Sequence, residues 1–395
     1  MFHTQHLFVE HFTGELNMAI EDRVRTSRFG RLSLMGQLAG GIVSGALNEG
    51  VSQLLNGSRP SLKNMLLTPD NAKRLSNRLS QMRGAAMKIG QLMSMDSGQI
   101  LPAEFSQILN RLRDDAHIMP LGQVDEVLNQ SLGKGWEAHF EQFIFTPIAA
   151  ASIGQVHKAK LKDGRSVAVK IQYPGIVKSI DSDVDNVAGL LNIFQLLPEH
   201  LNVTPLLNEA KQQLHFETDY LREADALGQF AALVSSDDRF AIPQVVDELT
   251  KKEVLTMTYM KGQPIETVFH SSGTERNRIA RNILELNLNE VFIWGVVQTD
   301  PNFANYRYEK DTGVIQLLDF GATRFYNQDQ IKLYQMLMKA AIEGENSDII
   351  VFAEKIGYLL GNEPDSYKNN LIDLLLMVSE PFRARDSYDF GRSDL

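Results

Sequence analysis

The chain has 395 residues, 43% hydrophobic and 22% charged, with a formal net charge of −10; that length and balance describe a globular protein with a substantial core and two or three domains. The absence of cysteine excludes disulfides, cysteine-ligated zinc and a cysteine nucleophile and fits a reducing compartment, and the nine histidines show no HExxH or comparable metal spacing. The acidic balance argues against nucleic-acid binding, and with no window of eighteen uninterrupted apolar residues (34–47 and 371–378 come nearest) any membrane contact is expected to be peripheral.

Four segments follow in chain order. Residues 1–60 carry a basic cluster (Arg23, Arg25, Arg28, Arg31) and then a Gly- and Ala-rich run, Leu38 to Leu47. Basic residues beside such an apolar helix suit an anionic lipid surface, and small residues would let it pack on a second copy in a homodimer; a solvated arginine face is the plainer reading. Residues 61–139 read as helical. Thr68-Pro69-Asp70 predicts a helix start, Thr as N-cap and Pro at the first helical position, running toward Met95, and a second helix is expected from Pro120 to Gly133. Residues 140–262 turn to strands, with Val156 to Lys160 and Val167 to Lys170 flanking a hairpin signal at Asp163-Gly164. Thr204-Pro205 predicts one long helix through Glu217 and Glu223, with strands at 244–249 and 253–260 and a hinge at Lys261-Gly262. Within 263–395 a helix over 275–296 leads into a loop at Asp300, and the chain from Asn327 is expected to be mostly helical.

That loop carries the most specific chemistry. Gln298-Thr299-Asp300-Pro301-Asn302-Phe303-Ala304-Asn305, followed by Asp319-Phe320-Gly321, orders an Asp, an Asn and a second Asp as a phosphoryl-transfer site does. Asp300 would orient the acceptor, and Asn305 and Asp319 would offer oxygen to Mg2+, which takes carboxylate and amide ligands. Upstream, Lys170 closes a Val-Ala-Val-Lys strand and is expected to contact nucleotide phosphates; alone, an exposed edge-strand lysine would explain it. Ala149-Ala150-Ala151-Ser152-Ile153-Gly154-Gln155-Val156 stands where a kinase has its Gly-rich loop. Only Gly154 and Val156 survive from that pattern, so the loop should be stiffer and cradle phosphates differently. On the long helix, helical geometry puts Asp219 and Glu223 on one face and Glu217 on another, leaving open which of them pairs with Lys170. Lys88 and Gln91, three apart in Lys88-Ile89-Gly90-Gln91, share a helix face, and in isolation Lys88 reads as a surface lysine.

Together these motifs, from about Arg31 to Phe325, resemble the UbiB family of atypical kinase-like proteins, or aarF-domain kinases, which support ubiquinone biosynthesis. The co-occurrence of KxGQ at Lys88 to Gln91 with ExD at Glu217 and Asp219 is its most specific sign, and the Gln-Thr-Asp-Pro-Asn loop looks more like its mitochondrial Coq-type branch than the His-Ala-Asp form of many bacterial members. The resemblance implies an α+β, bilobal protein-kinase-like fold with an N-terminal helical KxGQ extension and a shortened helical C-lobe. It implies that Lys88 approaches Glu217 and the metal-site carboxylates as part of a gating layer with Gln91 and Asp219, and that Glu223 is the partner of Lys170. It also implies ATP or ADP with Mg2+ as cofactors, ATPase activity responsive to anionic membrane lipids and phenolic quinone precursors, and company with quinone-biosynthesis proteins.

The residues themselves disfavour a protein kinase acting on other proteins. Gln298-Thr299 replaces the His-Arg before the catalytic Asp, no Ala-Pro-Glu follows Asp319, and little chain remains for a peptide-docking segment. The expectation is therefore an ATPase, with a small-molecule or lipid phosphotransferase and a nucleotide-dependent scaffold as the alternatives. No clear secretory signal is read at the N-terminus; the expected location is cytoplasmic and peripheral to a membrane, or the mitochondrial matrix if a transit peptide is missing from this chain.

Overall fold

The computed structural model describes residues 69–95, 109, 118–151, 153–194, 196, 202–384 and 387–393. The arginine cluster and Gly/Ala run of the N-terminal segment lie outside them, and so does Ser152. The described chain folds as two compact units: 222–245 with 260–395 forms one, and the earlier residues with 246–259 form the other.

In the first unit, the helix expected from Thr68 to Met95 is two, α1 (Pro69–Gln81) and α2 (Arg83–Met95). The ladder tightens at Met82, whose N–H reaches back three residues to the Leu79 carbonyl, and it resumes when Ala86 N–H bonds the Met82 carbonyl. Leu75, Leu79, Met82, Ala86, Ile89 and Met93 are buried at helical spacing, so one apolar stripe runs through both helices. Helix α3 (Leu121–Leu132) starts at Pro120 and stops at Gly133, as the sequence predicts. Its Val124, Val127 and Leu128 pack with Trp136, Phe140, Val167, Val169 and Ile171 against the sheet.

That sheet is antiparallel. Strand β1 (Phe140–Phe143) pairs β3 (Gly154–Leu161), β3 pairs β4 (Ser166–Gln172), and the short β2 (Ala149–Ala150) also lies on β3. The β3–β4 turn falls at Asp163-Gly164, where the Asp163 carboxylate accepts the Arg165 N–H at 3.0 Å. Next comes a helix absent from the sequence expectations, α4 (Ile176–Ile193). Its signal was present: Ile180, Val184, Val187 and Leu191, buried three or four apart. The long helix expected through Glu217 and Glu223 is also broken, into α5 (Thr204–Glu217) and α6 (Tyr220–Leu233). After β5 (Phe240–Ala241) the chain forms β6 (Val254–Thr258), which adds to β4. The strand expected over 244–249 is instead a single turn of 3-10 helix, Asp247–Leu249. There Thr250 Oγ1 donates to the Val246 carbonyl at 2.9 Å and holds the turn closed.

The second unit begins inside α6. Strand β5 runs parallel to β10 (Val314–Leu317), which pairs β9 (Tyr306–Glu309), and β9 pairs β7 (Gln263–Pro264). The boundary between units falls between Tyr259 and Met260, just before the expected hinge. Gly262 itself is fastened inside the second unit, its N–H donating to Gln316 Oε1 at 2.8 Å and its carbonyl accepting from Arg307 at 2.9 Å. Helix α7 (Gly273–Asn289), N-capped by the Ser272 hydroxyl on Glu275 N–H, ends in a π turn, Glu290–Trp294. Gly295 N–H closes that turn on the Glu290 carbonyl five residues back at 2.9 Å. Strands β8 (Val296–Gln298) and β11 (Thr323–Phe325) pair with each other and bracket the loop expected to carry the chemistry. The rest is helical, as expected: α8 (Gln328–Glu343), opened by an Asn327/Gln330 capping box, packs with α9 (Asn346–Ile356) and α10 (Asp365–Val378) around Leu337, Ala341, Ile349 and Ile372.

Candidate functional site

The first unit carries the lysines. Lys170 sits on β4 between β3 and β6, with cross-strand partners Val156 and Leu255, so the edge-strand reading does not hold. It is 7% exposed, with its ammonium 5.4 Å from the centre of the Tyr220 ring. A charge so placed needs polar company. Upstream, the Ala-rich segment is a tight hairpin: Ala149 and Ala150 pair Val156 and Gln155, and Ala151 N–H donates to the Gly154 carbonyl at 2.8 Å. Ile148 N–H is likewise engaged, with the Val156 carbonyl at 2.8 Å. Donors that a Gly-rich loop would turn toward phosphate are thus partly used within the sheet. Gly154 has a packing reason of its own, because a Cβ there would press on the Ile171 carbonyl and lie 3.0 Å from Gln172 Cα.

A buried chain of side chains fixes the base of this hairpin. Gln155 Oε1 accepts Met119 N–H at 3.0 Å, its Nε2 meets His157 Nε2 at 2.8 Å, and His157 Nδ1 meets the Ile144 carbonyl at 2.9 Å. Since the carbonyl accepts and the amide NH2 donates, His157 is neutral with its proton on Nδ1. Burial holds its pKa below the usual value, against a smaller opposing effect of the Ile144 carbonyl.

Lys88 is 3% exposed, so the surface reading fails, and its ammonium lies 2.5 Å from Glu217 Oε1, the resemblance-derived partner. Gly90 in the same motif abuts the Leu109 side chain, whose end a Cβ would have to displace. Glu217 is the last residue of α5, and the helix stops there for visible reasons. Thr218 Oγ1 folds back onto the His215 carbonyl at 2.9 Å, and the Thr218 carbonyl is drawn off by Gln172 Nε2 at 2.7 Å. Asp219 therefore lies between helices, and the helical-face argument that grouped it with Glu223 does not apply. Gln91 and Asp219 are both half-buried.

The second unit carries the Asp300, Asn305 and Asp319 set. Asn305 Nδ2 donates to the Asp300 carbonyl at 3.2 Å, and Leu318 N–H donates to the Asn305 carbonyl at 2.9 Å, so one asparagine joins the loop to the strand before Asp319. Asp319 Oδ1 accepts Gly321 N–H at 2.9 Å. Glu223, 1% exposed, accepts Phe320 N–H at 3.5 Å, and the buried Phe320 ring packs on Phe230 with centroids 4.6 Å apart. Arg222, which sequence reasoning passed over, donates to the Gly321 carbonyl at 2.9 Å and also to the Thr323 carbonyl. A planar guanidinium can grip two carbonyls of one short segment in this way.

Two further residues were given no role from the sequence, Gln298 and Glu290. Gln298 Oε1 accepts Asp300 N–H at 3.0 Å while its Nε2 donates to the Asp319 carbonyl at 2.6 Å. Its own N–H donates to Glu290 Oε2 at 2.8 Å. Glu290 is 2% exposed, and burial pushes its carboxyl up to about 7 against the pull of that N–H. Burial, then the charges of Glu290 and Asp300, raises the pKa of Tyr306. Glu290, Gln298, Asn305 and Asp319 line one small cavity.

The donor set suits Mg2+. With Nδ2 committed to the Asp300 carbonyl, the Asn305 amide leaves Oδ1 as a free acceptor, and Asp319 supplies a carboxylate. Mg2+ characteristically takes one or two such protein oxygens and completes its shell with water and phosphate. Among the described residues no cluster of three or more His, Cys, Asp or Glu could hold a metal by itself, so phosphate oxygens would be needed.

The sequence and the fold are both similar to those of known proteins. The profile of the ABC1 atypical kinase-like domain matches residues 111–352. Among similar proteins, "Atypical kinase COQ8, mitochondrial" of Saccharomyces cerevisiae is 41% identical over 93% of this chain and 74% of its own length. The rat protein "Atypical kinase COQ8B, mitochondrial" is 38% identical over 95% of this chain and 71% of its own. Against the corresponding Caenorhabditis elegans protein the identity is 36% over 96% of this chain, which spans about half (52%) of that relative. Among solved structures, Rv3197 of Mycobacterium tuberculosis, in complex with erythromycin, is similar with a TM-score of 0.53 and 27% identity, over 85% of this chain and 82% of that one.

Proposed function

Since the chain belongs to the ABC1, or UbiB, family of atypical kinase-like proteins, with their bilobal kinase-like fold, we propose that it binds ATP or ADP with Mg2+ and hydrolyses ATP at an anionic membrane surface, in support of ubiquinone biosynthesis. The observation that carries this reading is the Asp300, Asn305 and Asp319 set, tied into one hydrogen-bonded unit that contains an amide and a carboxylate, the oxygen ligand types Mg2+ takes. Asp300 positions the attacking water, its backbone fixed at the N–H by Gln298 and at the carbonyl by Asn305. Asn305 and Asp319 would hold Mg2+, which when bound would supply positive charge beside the transferred phosphoryl group. Lys170, on the central strand, contacts the α- and β-phosphates, and Glu223 has the role of its orienting carboxylate. Ala149, Ala150, Ala151, Ser152, Gly154 and Val156 cover the nucleotide with fewer free N–H donors than a Gly-rich loop offers. Lys88, Gln91, Glu217 and Asp219 form the gating layer.

Peripheral contact with anionic lipids and with hydrophobic quinone precursors belongs to the same proposal. Among the described residues no helix is long and apolar enough to cross a membrane, and the relatives' names place them in mitochondria.

Release of inorganic phosphate from ATP is the test, measured with anionic vesicles and a phenolic additive. The expected result is Mg2+-dependent turnover raised by the vesicles, with kcat at least about a hundredfold lower in Asp300→Asn and nucleotide affinity little changed. Mg-nucleotide binding without any turnover would overturn the ATPase reading in favour of a scaffold. Stoichiometric transfer of labelled phosphate to a phenol or lipid would replace it with a phosphotransferase.

A further inference from the structure

Gln298 stands where a protein kinase has the first residue of its His-Arg-Asp triplet, and its side chain bonds in two directions. One end of the amide takes the N–H of Asp300 at 3.0 Å; the other gives an N–H to the carbonyl of Asp319 at 2.6 Å. A primary amide has one acceptor end and one donor end, so only one orientation satisfies both contacts. Flipping it would set N–H against N–H and oxygen against oxygen. The backbone of Gln298 is fixed in turn by the buried Glu290, which accepts its N–H at 2.8 Å. Glu290 stands at the start of the π turn, so the extra residue in that turn sets where its carboxylate meets β8. Thr299 continues the attachment, its hydroxyl donating to the Ala322 carbonyl at 2.7 Å.

We infer that Gln298 is a positioning residue for phosphoryl transfer: a single side-chain amide sets the spacing between Asp300, which orients the acceptor, and Asp319, which holds the cation, while Glu290 anchors the amide's own backbone. The inference rests on the Mg-nucleotide reading for its consequence, though the linkage itself is a property of the nucleotide-free protein. It also separates the side chains that can stand at this position from those that cannot. A glutamate would keep the acceptor for Asp300 N–H but turn a second acceptor toward the Asp319 carbonyl, whereas a neutral imidazole keeps one donor and one acceptor.

Two measurements on the full chain separate this inference from the reading beneath it. Hydrogen exchange of the Asp300 amide in the nucleotide-free protein should quicken about tenfold or more in Gln298→Met, with the amides of β3 and β4 unchanged. Titrating Mg2+ into protein with a fluorescent ADP analogue should show the midpoint raised about tenfold in Gln298→Glu. In Gln298→His, the conservative variant, the midpoint should lie within about threefold of wild type. Wild-type exchange at Asp300 in Gln298→Met, or a wild-type Mg2+ midpoint in Gln298→Glu, would overturn the inference. If the wild-type protein binds the analogue with no dependence on Mg2+, the functional reading and the metal consequence fall together, and the exchange data alone decide the linkage.

Discussion

Lys88→Met should destabilise the first unit through the charge it leaves behind. The Lys88 ammonium lies 2.5 Å from Glu217, with side chains only 4% and 15% exposed. Removing one member of a buried pair typically costs about 3–5 kcal/mol, because the other remains uncompensated. Water reaching the partly exposed Glu217 relieves some of this, so about 2–4 kcal/mol is the reasoned range. Neutralising the partner as well, in Lys88→Met with Glu217→Gln, should recover part of the loss and leave a coupling energy of about 1–3 kcal/mol in a double-mutant cycle. The assay is urea unfolding followed through the buried Trp136, in a Trp294→Phe background so that the remaining one of the chain's two tryptophans reports on the first unit. A cost below about 0.5 kcal/mol with no coupling would show that the pair is solvent-relieved, as surface pairs are, and would refute the argument.

Further predictions concern buried groups that titrate and one close approach of backbone. His157 is buried neutral with a lowered pKa, so its contribution should be complete above about pH 6.5 and be lost as pH falls through that value toward the folded pKa; urea midpoints from pH 5 to 7.5 should lose this dependence in His157→Gln. Glu290 has the opposite sign, because its folded pKa is raised from 4.5 to about 7. Its stabilisation should be full below pH 4.5 and lost as pH rises through about 7, and Glu290→Gln should flatten that part of the profile. Gly154→Ala should cost about 1–3 kcal/mol in the same unfolding assay, since its Cβ meets β4 backbone that cannot yield without breaking the ladder; a cost near zero would return Gly154 to the nucleotide as its only reason.

How far the sequence could be read follows from how local each determinant is. The β3–β4 hairpin, the start and stop of α3 and the helical tail were legible because turn residues and periodicity fix them locally. The break between α5 and α6 was not, since it depends on Gln172, 46 residues away from Thr218, taking that residue's carbonyl. Asp219 was misplaced for the same reason. The Asp300, Asn305 and Asp319 set was legible as spacing, whereas Gln298 was noticed only for the histidine it replaces. Its function depends on backbone groups 2 and 21 residues further along the chain, at Asp300 and at Asp319, that no spacing rule couples. The closeness of Lys88 to Glu217 was expected only through family resemblance, because burial of a lysine cannot be inferred from its own helix face.

The proposed activity stands on Asn305 and Asp319 holding Mg2+ for a bound nucleotide. Equilibrium binding of ADP, with Mg2+ and with EDTA, to the wild-type protein and to Asp319→Asn tests it most directly. Mg2+ should tighten wild-type binding at least about tenfold, and Asp319→Asn should lose this gain while keeping its weak EDTA-state affinity. Equal affinity with Mg2+ and EDTA, or an undiminished Mg2+ effect in Asp319→Asn, would contradict it.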